Sequence, residues 1–291
     1  MGPRLRAPVQ VTLVGTGHIF AIGDMVEEVI RSRDPDVVCV ELDPVRLRGL
    51  EERRHLARLE AVGDPRAEEI RAAHHEAQRK MPFVYRFLAG TQEKLAEGEG
   101  VAPGSEMLAA VDAARRLGKP LGCIDVDARL LVRRVWKEMG FGEKFRFLWA
   151  ILRGGGKTEV DTELAEYESD PVAYIARMGD SFPTLKRVLI DERDAHMATA
   201  ILSLAEREPK VERVVAVVGD GHVSGMLKVI EDRLEGDALE VIRMRALRDR
   251  DLPPDPFPPR HQEADGEVAE GGASVSFHVD VPSSDLPDEA P

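Results

Sequence analysis

Two short runs set an imidazole directly behind a pair of glycines: Gly15-Thr16-Gly17-His18 and Gly219-Asp220-Gly221-His222. Each follows a run of apolar, mostly β-branched residues, VTLV before the first and VVAVV before the second. Imidazole is both a metal ligand and a proton carrier near neutral pH. Two copies from opposite ends of the chain can therefore serve one centre if the fold brings them together. A blander explanation exists, because glycines end strands routinely and a histidine can merely cap a helix. The recurrence of one pattern after two strand-like runs favours the shared centre.

A carboxylate and a guanidinium join the candidates. Glu41 follows four apolar residues in VVCVEL, so it stands where a buried strand emerges. A carboxylate there is ion-paired, metal-bound or moving protons, and Arg46 is near enough in sequence for an ordinary salt bridge. In LKRVLIDERDAHMATAILSLAE (185–206), helical spacing puts Leu185, Leu189, Ala200 and Leu204 on one face, together with Arg193 and His196. Glu192 falls at the margin of that face and Asp194 is expected to point away. A guanidinium on a buried face needs an anion. It either clamps helix to sheet through Asp125 or Glu41, or meets a substrate carboxylate or a developing oxyanion, and the sequence leaves both open. Asp125 and Asp127 close another strand candidate and read as supporting partners of the same centre. A dinucleotide fingerprint would use Gly15, Gly17 and Glu41, but Phe20 stands where a third glycine is needed.

The elements that must position these groups alternate. Residues 9–15 predict a strand, followed by a helix capped by Asp24 with Glu27 and stopped at Pro35, then a second strand at 37–42. This βαβ unit makes the two strands parallel. Ser105 is read as the cap of a helix ended by Gly118; strands follow at 120–127, 211–222 and 239–247. The fold class is α/β: a mainly parallel central sheet with flanking helices, in which ligands bind where the strands end. Helical insertions at about 51–105 and 128–208 are expected to form a cap over that rim, within a domain covering 1–250.

Composition narrows the partners. Of the net charge of −13 over 291 residues, −9 lies in residues 251–291, which also hold eight of the nineteen prolines. That tail is expected to be mostly disordered, with a strand-like stretch at 273–281 able to dock on a sheet edge or a partner subunit. The nearly balanced body has no basic stripe for nucleic acid, and the acidic excess argues against anionic membranes. No apolar run is long enough for a membrane span, no secretory signal is visible, and Cys39 and Cys123 sit in apolar runs as reduced thiols would. The expected location is cytoplasmic.

With GTGH, PDVVCVELDPVRLRGL, PGSEMLAAVDAARRLGKPLGCIDVDARLLVRR, FPTLKRVLIDERDAHMA and VVAVVGDGHVSGM in that order, the chain resembles the TraB/PrgY family, part of a superfamily with the TIKI and GumN proteins and, more distantly, erythromycin-esterase-like and ChaN-like ones. The resemblance implies an α/β enzyme whose paired Gly-x-x-His motifs and glutamate build the active site. TIKI-like members are described as manganese- or cobalt-dependent proteases, and PrgY-like members limit peptide pheromone activity. Position by position, the resemblance assigns His18, His222 and Glu41 to the centre. It adds Arg46, Glu106 of the GSEM helix, and the Glu-Arg-Asp of Glu192, Arg193 and Asp194. The chain departs from the family where Val126 replaces an arginine and where His196 replaces a common tyrosine, and it carries an acidic, proline-rich tail where many members have membrane-spanning helices.

Together these readings give a metal-dependent hydrolase acting on a peptide or other small substrate. His18, His222 and Glu41 would hold manganese, cobalt or zinc, with Arg193 at the oxyanion. The alternative is a binding protein that sequesters a peptide or a haem-like ligand without turning it over. The helical insertions offer a surface for a homodimer.

Overall fold

The computed structural model describes residues 9–17, 22–79, 104–153, 177, 179–234, 236–258 and 276–278. Six parallel strands form one sheet: β1 (Gln10–Thr16), β2 (Val37–Val40), β3 (Leu121–Cys123), β4 (Arg213–Gly219), β5 (Leu239–Ile242) and β6 (Ser276–His278), in the order β5-β1-β4-β2-β3-β6. The inner strands are apolar along their whole length because both of their faces are covered. Val14, Val38, Val40, Val215 and Val217 pack against α1 (Gly23–Arg33) and α4 (Ser105–Arg116). The alternate residues Val11, Leu13, Cys39, Ala216 and Val218 turn to the opposite face, where α8 (Glu192–Arg207) and α9 (Asp220–Glu231) cover them. The fold is thus the expected mainly parallel α/β sandwich.

Its topology differs from the simplest reading in one respect. The first two strands are parallel but not neighbours, because β4 lies between them and pairs with both. Thr16 is registered opposite Gly219, so the two Gly-x-Gly-His runs leave adjacent strands within one residue of each other. Two cap predictions also shift. Ile22 precedes α1, leaving Asp24 inside its first turn. Gly104, with φ 82°, caps α4, so Ser105 is the first helical residue.

The insertions contribute α2 (Pro44–Ala61), α3 (Arg66–Arg79), α5 (Ala128–Glu138), α6 (Phe141–Arg153) and the short α7 (Pro183–Lys186). A π-helical turn at Arg187–Asp191 joins α7 to α8. Val135, Met139 and Val188 form a separate small core with Leu131, Phe147, Leu185 and Leu189, which fixes α5 and α6 beside the start of α8. A short helix α10 (Met244–Arg248) follows β5. Residues 80–103 and 154–176 of the two insertions, and the tail at 259–275 and 279–291, lie outside the described residues.

Beyond residue 250 the chain is anchored at the amino-terminal edge of the sheet. Arg33 binds Glu240 and donates to the Pro253 carbonyl at 2.7 Å, and Phe257 is buried beneath Arg213. Part of the strand-like stretch in the tail docks on a sheet edge, as β6 pairs with β3. No helix among the described residues is long and apolar enough to cross a membrane.

Candidate active site

The carboxyl ends of β2, β3 and β4 deliver the site. Glu41 follows β2 directly, and its backbone N–H donates to the Val217 carbonyl of β4 at 3.0 Å. This holds the side chain at the mouth of the crevice between the two strands. The Gly219 N–H, at the end of β4, donates to Glu41 Oε2 at 2.6 Å. Asp125 follows β3 and is fully buried; it accepts the Val126 N–H at 2.8 Å.

Arg193 unites these acids from the first turn of α8. Its Nη2 donates to Glu41 Oε1 at 2.6 Å and to Asp125 Oδ2 at 2.8 Å, and its Nε donates to Asp125 Oδ1 at 3.0 Å. Nη1 donates to the Leu189 carbonyl at 3.0 Å and lies 3.2 Å from His222 Nε2. The five N–H donors of the guanidinium are thereby directed at four groups of the protein itself. Arg193 clamps α8 to the sheet through both candidate acids. Leu189 belongs to the π turn, where the Glu192 N–H reaches back five residues to the Arg187 carbonyl. Such turns inside helices often mark functional sites. Arg46, in the first turn of α2, pairs with Asp125 at 2.8 Å, while Glu41 takes Arg193.

His222 enters from the first turn of α9. Its Nδ1 lies 2.5 Å from Asp194 Oδ1 and its Nε2 lies 3.3 Å from Glu41 Oε1. Asp194 is buried, contrary to the expectation that it would point away. The wheel drawn from Leu185, Leu189, Ala200 and Leu204 is too narrow, because α8 is buried over a broad face that runs from Met197 to Ala205. Within α8, Asp194 shares a stripe with Ala198, Ile201 and Ala205, all buried against the sheet. The close approach also needs Gly225 on α9, since a Cβ there would collide with the Asp194 carboxylate. The roles of Gly219 and Gly225 were missed in the sequence, where the only signal is their spacing around His222.

The charges are nearly balanced. Three carboxylates, Glu41, Asp125 and Asp194, face two guanidiniums, Arg46 and Arg193, and a proton on His222 offsets the remaining negative charge. Burial alone would raise Glu41, but His222, Arg193 and the Gly219 N–H hold it well below the usual carboxylate range. Burial pulls the His222 imidazole down, yet Glu41 and then Asp194 push it up to about 9. Burial raises Asp194, against the opposing pull of His222. Arg193 is held above its ordinary value by Glu41 and Asp125, which outweigh its desolvation.

The remaining candidates occupy other places. Glu192 lies in a surface ion network with Arg187 and Arg134. Asp127 caps α5 and accepts the Arg129 N–H at 2.8 Å. Glu106 is buried in the first turn of α4, with Ser105 Oγ 3.5 Å away. His196 is half-buried on α8. His18 and Phe20 lie outside the described residues.

Donor chemistry can be tested against a divalent ion. An imidazole with Nδ1 on a carboxylate presents Nε2 as a ligating atom, the usual arrangement of a metal-bound histidine, and here Nε2 faces a carboxylate oxygen. The pair fits a borderline divalent ion in kind. No group of three or more His, Cys, Asp or Glu side chains disposed to hold an ion occurs among the described residues. An ion on Glu41 Oε1 would take the place of the Arg193 bond.

These features define an α/β protein with a buried carboxylate, guanidinium and imidazole centre at the strand-end rim. A family model described as the TraB/PrgY/gumN family matches residues 6–235, and the chain belongs to that family. It is 31% identical over 241 residues to an uncharacterized protein of Methanocaldococcus jannaschii, covering 81% of this chain and 57% of that one. It is 27% identical over 239 residues to a TraB domain-containing protein of Mus musculus and over 237 residues to one of Homo sapiens, in both cases covering 75% of this chain and 62% of the relative. The chain therefore spans 57% to 62% of the length of these relatives.

Proposed function

We propose that the centre around Glu41, His222 and Arg193 hydrolyses an acyl bond, with a peptide as substrate and a divalent metal as cofactor. The observation that supports this reading is the buried chain Asp194–His222–Glu41, held in register by the Arg193 fork. Acyl transfer needs a water with a nearby base, a proton donor for the leaving group and a positive field for the oxyanion. His222 and Glu41, with His18, would hold manganese, cobalt or zinc. The metal would supply a bound water acidic enough to ionise near neutral pH.

The residues of the chain divide the remaining work. Glu41 is kept ionised by its neighbours and accepts a proton at Oε1 or Oε2. His222, with its Nδ1 on Asp194 keeping the ring oriented throughout, would give Nε2 to the metal, and the proton that Glu41 takes from the attacking water passes to the leaving amine. With Nε2 engaged, His222 cannot accept from Arg193 Nη1, so that N–H is the one left to meet a developing oxyanion. Asp125 and Arg46 keep the guanidinium in place while this happens.

The test is metal analysis of the purified protein combined with mass spectrometry of a peptide library incubated with wild type, Glu41→Gln and His222→Ala. The reading expects bound transition metal and new peptide fragments in the wild type, with fragments lost in both variants. Wild-type protein that retains a peptide without changing its mass would instead make the centre a sequestering site.

A further inference from the structure

Of the nine large apolar side chains exposed among the described residues, six fall on α5 and α6: Leu130, Trp136, Phe141, Phe145, Leu148 and Trp149. Four of them, at positions 141, 145, 148 and 149, follow the i, i+4, i+7, i+8 spacing that lines one face of a helix. That face points outward, with Phe141 94% and Phe145 69% exposed. The opposite side of α6 looks inward, where Glu143 accepts the Thr184 N–H at 2.9 Å and Phe147 packs edge-on against Phe182. An amphipathic helix normally buries its apolar face, and this one shows that face to solvent.

The charge of this hairpin is as unusual as its polarity. Residues 128–153 contain seven Lys/Arg and two Asp/Glu, a net of +5 in a chain whose total is −13. The remainder of the chain therefore carries −18. Lys144 Nζ sits 5.7 Å from the centre of the Trp136 ring, so the basic and aromatic groups interleave. Aromatic and aliphatic side chains flanked by Lys and Arg on a short helix are the chemistry of a segment lying in a bilayer interface. The acidic remainder would be repelled by the same surface, which orients the molecule with the hairpin inward. Charge taken over the whole chain argues against an anionic membrane; charge resolved by element reverses that for these two helices, in which Arg129 and Arg134 are already paired with Asp127, Glu138 and Glu192.

We propose that the α5–α6 hairpin is a docking surface for an anionic lipid bilayer, which it enters from one side without spanning it. The acidic tail of the same chain supplies negative charge, but as a Pro- and Asp-rich segment it offers little for Phe141, Phe145 and Trp149 to bury into, whereas a lipid surface offers both.

Both tryptophans of the chain, Trp136 and Trp149, lie in the hairpin, so intrinsic fluorescence reports on this surface alone. The full-length protein is mixed with vesicles of phosphatidylglycerol and phosphatidylcholine, and separately with phosphatidylcholine alone, then followed by tryptophan emission and co-sedimentation. The expected result is a blue shift and co-sedimentation with the anionic vesicles, both weakened by salt. Replacing both Phe141 and Phe145 by Ser should abolish them, and Lys137→Ala should weaken partitioning by about fivefold. Circular dichroism of each variant confirms that it is folded. No blue shift with the anionic vesicles overturns the proposal, and so does equal binding to both compositions. It is also overturned if lipid-free protein sediments as a dimer that the double Phe variant dissociates, since a second copy would then be the occupant.

Discussion

Asp194 and His222 meet inside the protein at 2.5 Å, one from each of two helices that cover the same face of the sheet. Neither group would be stable there alone, because each is buried and the bond between them is what compensates its lost hydration. The pair fixes which nitrogen of the imidazole faces Glu41.

Replacing Asp194 by Asn keeps an acceptor for Nδ1–H but removes the charge. The His222 pKa should fall and, under the proposed hydrolase reading, peptide cleavage should drop by about 10- to 100-fold, the usual loss when the carboxylate behind a metal-bound histidine is removed. NMR titration of His222 and turnover of a cleaved peptide measure the two effects separately.

Gly225→Ala acts on the same pair through space alone. The added Cβ meets the Asp194 carboxylate, so α8 and α9 must separate or Asp194 must leave His222. A loss of about 1–3 kcal/mol in urea unfolding is expected, with the His222 titration moving as it does in Asp194→Asn.

Stability should depend on pH in a direction that His222 sets. In the metal-free protein its pKa is pushed up to about 9, above the ordinary value. Its contribution is therefore complete below about pH 6.5 and is lost as pH rises through about 9. Glu41 acts oppositely: its pKa is depressed, so its contribution holds above the ordinary carboxylate pKa and is lost in acid. The stability advantage of wild type over His222→Gln should be on the order of 3 kcal/mol at about pH 6 and smaller at about pH 10. Equal advantages at both pH values would count against this electrostatic account.

Arg193→Ala leaves Glu41 and Asp125 facing each other without the clamp. A loss of roughly 3–5 kcal/mol is expected for breaking a buried ion pair on one side. If the guanidinium and a divalent ion compete for Glu41, manganese binding measured by calorimetry should tighten in Arg193→Ala even as turnover falls.

Cys39 and Cys123 should be inert in the native protein. Burial pushes the first thiol up to about 12 and the second to about 11, and only the thiolate attacks. Ellman's reagent should react far more slowly with the folded protein than in denaturant, where both thiols should titrate.

Much of this was legible in the sequence, for identifiable reasons. Strand identity followed from apolar runs such as VVCV and VVAVV, because a strand buried on both faces must be apolar throughout. Glu41, Asp125, Arg193 and His222 stood out because a polar group at the end of such a run, or on a buried helical stripe, demands a partner. Glu41 and Asp125, the partners of Arg193, were among those the sequence offered, but that Arg46 takes Asp125 rather than Glu41 was not legible, because it depends on how α2 sits on the sheet. Asp194 was misplaced because α8 is buried over most of its circumference, and a stripe drawn through Ala200 and Leu204 covers only one margin of that face. The outward apolar face of α6 was hidden too, since a periodic stripe says that a face exists and not which way it looks.

The place of β4 between β1 and β2 has a consequence for how the chain is made. A ribosome releases β1, β2 and β3 well before the strand that must separate the first two, so their final pairing waits for a segment near residue 215. Contacts that span most of the polypeptide close late and slowly. Glu41 therefore has neither the Gly219 amide nor the His222 ring until the chain has been made past residue 222. A nascent or prematurely terminated product that stops short of residue 222 carries no assembled centre.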